Sequence, residues 1–245
     1  MAVRIDAILF DMGGTLRKNI KRDENTKAGI VQQILDLLRS DQSTVELSEL
    51  LTNREKAYEE WASITLDELS ESRLWTEWML PDWPTDVIRP ISMTLNGIWR
   101  DAICTRPIFP ETSEVLPVLH QRGYHLGLVS NTTSSVDSPR ALEKAGLARY
   151  FEVMVLSCVV GKRKPDPAIL LEAAQKIGVQ PENCAYVGDR PDWDVAAARA
   201  AGFGKTVVLH NPNHPGVELL TPDQTPDHFI NNLMKLLDIF PARNK

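Results

Sequence analysis

The sequence predicts an α/β protein: a parallel sheet with helices on both faces and a block of helices inserted after its first strand. Three observations lead there. From about Pro107 onward, short apolar runs alternate with helical patterns, the signature of crossovers between parallel strands. Residues from about 22 to 102 show helical periodicity and no convincing strand. The chain opens on an apolar run, Val3–Phe10, that belongs with the later strands rather than with the helices that follow it.

Composition sets the outer limits. The 245 residues suffice for one large domain, or for a core with a smaller insertion. Hydrophobic residues make up 43% and charged residues 24%, which argues against disorder. A net charge of −6 gives no electrostatic support for nucleic acid or an anionic membrane as partner. No apolar run approaches the roughly 20 residues of a spanning helix, and Asp6 and Asp11 interrupt the N-terminal run, so no signal peptide is expected. Cys104, Cys158 and Cys184 lack metal-site spacing and read as reduced thiols, consistent with a cytoplasmic protein.

The first strand ends abruptly in Asp11, followed by Gly13, Gly14 and Thr15. A carboxylate at the carboxyl end of a strand sits where open α/β sheets bind ligands, and two glycines let backbone N–H groups approach an anion. In the helical block, Ile30, Ile34, Leu37 and Leu38 fall on one face, and Leu47, Leu50 and Leu51 begin a second helix. Five of the six tryptophans (Trp61, Trp75, Trp78, Trp83, Trp99) lie here, as helix-packing core, and Pro81 and Pro84 divide the block into two helical pairs. Hinges are expected near Leu16–Lys21 and Cys104–Pro110. The basic residues Arg17, Lys18, Lys21 and Arg22 read either as a solvated linker or as a lure for anionic substrates. Beyond the block, the pattern predicts helices over 113–121, 139–145, 168–177, 195–201 and 231–239. Strands are predicted over 124–129, 153–156, 185–187 and 206–209.

Several of these strands end in polar groups. Ser130, Asn131 and Thr132 follow one, as ordinary turn chemistry or as a phosphate cradle. Lys164 precedes Pro165, which holds it out of the next helix and leaves it free to point into a cleft, unless the basic loop is simply solvated. Asp189 ends a third strand, and Asp194 opens the following helix, either as a further site carboxylate or merely as that helix's cap. Carboxylates gathered near Asp11 repel unless a cation lies between them, and an oxygen-rich site suits Mg²⁺.

In order, DMGGTL, LVSN, the lysine of KPDP, and VGDRPDWD resemble the four motifs of the haloacid dehalogenase-like hydrolase superfamily, across essentially the whole chain. That resemblance implies a Rossmann-like core (residues 1–18 and 105–245), an α-helical cap (residues 19–104) and a phosphohydrolase that forms an aspartyl-phosphate. It makes Asp11 the nucleophile and Lys164 its neutralising partner, with Thr15, Ser130, Asn131 and Lys164 binding a small phosphorylated substrate. It assigns Mg²⁺ to Asp11, the Gly13 carbonyl and Asp189, with Asp194 as ligand or as a support behind the ligands. One departure stands out: the family's phosphatases usually carry a second Asp two residues after the nucleophile, where this chain has Gly13. A weakened, ligand-binding or regulatory protein is therefore the alternative. A phosphonate hydrolase is another, with Lys56 as its Schiff-base lysine, unless Lys56 is simply a solvent-exposed helix residue.

Overall fold

The computed structural model describes residues 4–209 and 220–243. The apolar strands assemble as expected. Among the described residues, six parallel strands form one sheet in the order β5-β4-β1-β6-β7-β8. The strands are β1 (Ala7–Phe10), β4 (His125–Ser130), β5 (Val153–Leu156), β6 (Cys184–Gly188), β7 (Lys205–Leu209) and β8 (His228–Ile230). All four side chains of β1 are buried. Ile8 and Phe10 enter one core layer with Leu116 and Leu236, while Ala7 and Leu9 enter the other with Ile169 and Ala197. A strand covered on both faces cannot alternate polar and apolar residues, which is why this run reads as continuously hydrophobic.

The helices α6 (Pro110–Gln121), α7 (Asp137–Lys144), α8 (Ser157–Val160), α9 (Ala168–Ile177), α10 (Ala196–Ala200) and α11 (Leu236–Ile239) connect or flank these strands. The strand at 153–156 and the helix at 168–177 fall where the periodicity put them. Elsewhere the boundaries shift. β1 begins at Ala7, and Val3 lies outside the described residues. The helix expected at 195–201 is preceded by a wide π-type turn over Pro191–Val195, and that expected at 231–239 begins as a 3₁₀ turn over Leu233–Lys235 that runs directly into α11. β8 itself went unforeseen, because three residues are too short to show a period.

The inserted segment contains α1 (Glu24–Leu38), α2 (Thr44–Thr65), α3 (Glu71–Arg73) running into a π-type turn over Leu74–Met79, α4 (Thr85–Ile88) and α5 (Ser92–Ile103). Its ends are set by local chemistry: Asp23 caps α1 through Thr26 N–H, and Ser43 with Glu46 forms a capping box on α2. The unit has a core of its own, built around Trp75, Trp99, Tyr58 and Leu51, with Trp61, Trp78 and Trp83 packed against it. The stripe on α1 needs correction. It buries Val31, Ile34, Leu35 and Leu38, while Leu37 is exposed.

Where hinges were expected, β2 (Ile20–Lys21) pairs antiparallel with β3 (Cys104–Thr105), so both crossings run through one short ribbon. On the far side, polar clasps join the two units. Ser135 donates to Glu71 through N–H and hydroxyl (2.6 and 2.8 Å), Ser157 to Glu68 (2.9 Å), and Arg163 to Glu59 (2.9 Å).

Candidate active site

β1 lies between β4 and β6, and the chain leaves it to opposite sides, making this the point where the strand order reverses. Ligands of open α/β sheets bind outside the carboxyl ends of strands at such a point. Here the three neighbouring strands deliver Ser130, Asp11 and Asp189. Asp11 N–H still donates to Val187 O (2.9 Å), so the ladder holds its backbone up to the last residue.

Lys164 reaches this edge from the loop before α9. Its Nζ donates to Asp11 Oδ1 and Asp194 Oδ1, both at 2.6 Å, and to the Tyr186 hydroxyl at 2.7 Å. The lysine is buried. Burial by itself lowers it, but the carboxylates of Asp11 and Asp194 outweigh that and hold it well above the ordinary lysine range. Burial pushes the Asp11 carboxyl up to about 6, against the pull of Lys164. Asp189 is pushed further, to about 8, by burial and then by Asp11 and Asp194.

Two glycines make this crowding possible. Gly14 has φ +81°, and a Cβ there would overlap the Asp189 carboxylate. A Cβ on Gly188 would likewise overlap Asp194. Gly13 is different, since a Cβ there meets nothing closer than Asn19 Nδ2, at 3.5 Å.

The structure redirects one expected site residue and chooses between the two readings of another. Asn131 does not offer its side chain to a ligand: Oδ1 accepts from Lys164 N–H (2.8 Å) and Nδ2 donates to Lys164 O (2.9 Å). It clamps the lysine's backbone instead. Asp194 is engaged on both oxygens, Oδ1 by Lys164 and Oδ2 by the N–H groups of Asp189 (3.0 Å) and Arg190 (2.9 Å). It thus braces the loop that presents Asp189, and a three-carboxylate metal cage does not form. Among the described residues, no group of three or more His, Cys, Asp or Glu side chains is disposed to hold a metal.

A two-carboxylate site remains. Among the described residues, Asp189 Oδ1 is buried without a hydrogen-bond partner, and a cation shared with Asp11 would satisfy it. Thr15 Oγ1, equally buried and unpartnered, lies in the turn just after Gly14. Ser130 is buried, with only a long contact (3.5 Å) from its hydroxyl to Asn131 O. Lys56 takes the plainer of its two readings, a solvent-exposed helix lysine: its side chain is 78% exposed on α2, beside Glu60, which speaks against a Schiff-base role.

Several site residues escaped the sequence reading. Tyr186 stands in the quoted strand, yet nothing local marks it as the lysine's third partner. Arg17 was named there with two readings, and the solvated linker is not the one observed for it: it is buried and paired with Asp137. Arg100 and Glu55, from α5 and α2, line a cavity of about 360 Å³ with Gly13, Ser130 and Thr132. No sequence spacing could have announced that meeting of the two units.

An α/β core with a buried aspartate–lysine pair across strand ends at its switch point defines a class of hydrolases and group-transfer enzymes. Comparison with known proteins places the chain within that class. A family model described as haloacid dehalogenase-like hydrolase matches residues 5–202, and the chain belongs to that family. It is 28% identical to a glyceraldehyde 3-phosphate phosphatase from Methanopyrus kandleri over 96% of this chain and 97% of that one. It is 27% identical to a phosphoglycolate phosphatase from Nitrosococcus oceani, covering 96% of each. The solved structure of a 2-haloacid dehalogenase from Pseudomonas syringae superimposes with a TM-score of 0.65 at 24% identity, over 96% of this chain and 97% of that one, which speaks for the fold alone.

Proposed function

We propose that the protein is a Mg²⁺-dependent phosphatase acting on a small phosphorylated metabolite, with the phosphoryl group passing through Asp11. The observation that carries this reading is the buried Asp11–Lys164 pair beside the unsatisfied Asp189 oxygen. The full-length relatives named as phosphatases support it. Phosphoryl transfer asks a protein mainly for positioning and charge neutralisation, and the site is organised to provide both.

In this reading the Asp11 carboxylate attacks phosphorus in line. Lys164, held by Asn131 and Tyr186, neutralises Asp11 and the transferring group. Ser130 and Thr15 offer hydroxyls to the phosphoryl oxygens. Asp11, Asp189 and the Gly13 carbonyl would hold Mg²⁺, whose charge offsets that of the phosphoryl oxygens when it is bound. The helical unit, residues 19–104 joined through the β2–β3 ribbon, serves as a cap that excludes water from the cavity. Free thiols at all three cysteines, and the absence of any described helix long and apolar enough to cross a membrane, suit a cytoplasmic setting.

The carboxylate pair makes a prediction about the cation. An acid whose folded pKa is raised from 3.8 to about 8 binds protons more tightly in the native state, so its contribution to stability falls as pH rises between those values. The metal-free protein should therefore melt lower at pH 8 than at pH 5. Mg²⁺ should raise the melting temperature most at pH 8, where Asp189 is free to ligate. Asp189→Asn should abolish that Mg²⁺ increment; an equal increment in both proteins would remove Asp189 from the site.

Gly13 favours a second reading, in which phosphate and metal binding survive but hydrolysis is slow. Without an acid at this position, the leaving group must depart as its anion, and water must attack phosphorylated Asp11 unaided. Aryl esters should then react far faster than alkyl esters, with an initial burst. Gly13→Asp is sterically admissible at this open position. It should raise alkyl phosphate turnover by up to about 10²–10⁴-fold and flatten the dependence on leaving-group pKa. Brisk wild-type hydrolysis of alkyl phosphates without a burst would show that another group supplies the proton. No turnover of any phosphate ester with Mg²⁺ would favour the binding protein over the enzyme.

A further inference from the structure

Phosphate ester hydrolysis at Asp11 needs a proton that the strand ends do not offer. An alkoxide leaves poorly until it is protonated, and the water that attacks phosphorylated Asp11 must lose a proton. The turn after Asp11 carries Met12, Gly13, Gly14 and Thr15, none of them an acid. Lys164 is held well above the ordinary lysine range and keeps its proton, and Asp189 is taken by the cation in the phosphatase reading. In-line attack fixes where the proton is wanted. The leaving oxygen stands opposite Asp11 across phosphorus, away from the strand ends, and the second-step water arrives from that same side.

That side is closed by the helical unit, and Glu55 of α2 lines the cavity there together with Gly13 and Ser130. Of the described residues lining it, Glu55 is the one carboxylic acid. The other acids of the unit that meet the core are engaged: Glu59 by Arg163, Glu68 by Tyr58 and Ser157, and Glu71 by Ser135. The cavity's arginines are engaged as well, since Arg17, Arg100 and Arg106 converge on Asp137 Oδ2 at 2.6, 3.0 and 3.6 Å. Lys21 is the remaining cation of the lining. Glu55 is half-buried. Burial pushes its carboxyl up to about 6; Trp99 opposes that rise, Glu59 adds to it, and Arg100 and Lys27 draw it down again. Among the described residues, the Trp99 indole N–H is buried without a hydrogen-bond partner, so it does not pin the carboxyl. A carboxyl that titrates near neutrality can give and take a proton within one turnover.

We infer that Glu55 is the catalytic acid and base of the reaction, supplied by the helical unit where position 13 has no side chain to do it. In the first step Asp11 bonds to phosphorus, the bond from phosphorus to the leaving oxygen breaks with its electron pair, and the Glu55 proton passes to that oxygen. In the second step Glu55 takes a proton from water as the water oxygen bonds to phosphorus. The electron pair of the broken bond returns to the Asp11 carboxylate, phosphate leaves, and Glu55 is protonated again.

The inference rests on the phosphatase reading, so the test follows each step on its own. Phosphorylation of Asp11 within one turnover is measured with Mg²⁺ and either ethyl phosphate or 4-nitrophenyl phosphate. Glu55→Gln should slow the reaction of ethyl phosphate by roughly 10²-fold or more, and that of the nitrophenyl ester far less, because nitrophenolate leaves without a proton. Phosphorylated Asp11 should persist about 10²-fold longer in the variant. In wild type the ethyl phosphate rate should fall about tenfold per pH unit beyond about pH 7, and Glu55→Gln should lose that limb. Gly13→Asp added to Glu55→Gln should restore ethyl phosphate turnover. Glu55→Ala with and without added formate is the second variant if the first does not fold, and formate should restore its rate. Phosphorylated Asp11 forming from ethyl phosphate at the wild-type rate and pH profile in Glu55→Gln would overturn the role of Glu55 and leave the phosphatase standing. An equal loss on both esters with the pH limb intact would make Glu55 a structural residue. No phosphorylated Asp11 from either ester in wild type would refute the phosphatase reading, and this inference with it.

Discussion

Lys164→Met should cost the protein both stability and turnover. The side chain is buried and donates to two carboxylates and a phenol. Methionine keeps much of the volume but leaves Asp11 and Asp194 without their cation. Breaking a buried pair from one side typically costs about 3–5 kcal/mol, because the remaining charge stays desolvated. Urea unfolding at pH 7 should show a loss of that order, shrinking toward pH 5 as the raised Asp11 carboxyl takes up a proton instead. Turnover should fall by roughly 10²–10³-fold or more, the usual cost of removing one preorganised charge from a reacting group. A Met variant as stable and as active as wild type would mean that the lysine neither supports the strand ends nor acts on the phosphoryl group.

The strands at the centre of the sheet were legible because both of their faces are covered. Ala7–Phe10 and Val153–Leu156 are short, apolar and bounded by turn residues, which leaves little else for them to be. The edge was not legible. β8 carries His228 and a half-exposed Phe229, and a three-residue strand of mixed polarity shows no period. On α1 the difficulty was surplus. Ile30, Val31, Ile34, Leu35, Leu37 and Leu38 form two overlapping apolar stripes, and packing against α2 and α5 chose the one containing Val31 and Leu35.

The site divides in the same way. Asp11, Ser130 and Asp189 could be found from sequence because each ends a recognisable strand, so topology alone brings them together. Asn131 and Asp194 were found for the same reason; Asn131 clamps Lys164 rather than facing a ligand, and Asp194 takes the supporting one of its two expected tasks, bracing Asp189. Those tasks depend on loop geometry that no spacing encodes. The arginines around Asp137 are a still harder case. Positions 17, 100, 106 and 137 meet only after the helical unit folds back over the sheet edge.

Asp11→Asn should have the largest effect of all. The amide is nearly isosteric, but it is no nucleophile and it ends the ion pair with Lys164. Removing a covalent nucleophile commonly costs about 10⁴–10⁶-fold, and phosphate ester hydrolysis should fall to background. The most direct measurement is to mix wild-type protein, Mg²⁺ and a reactive aryl phosphate, quench in acid within the first turnover, and map the adduct by peptide mass spectrometry. A single phosphoryl group on the peptide containing Asp11, absent from Asp11→Asn and matching the burst in amount, is the predicted result. Turnover with no adduct, an adduct on another residue, or an Asp11→Asn protein that still hydrolyses the ester at the wild-type rate would contradict it.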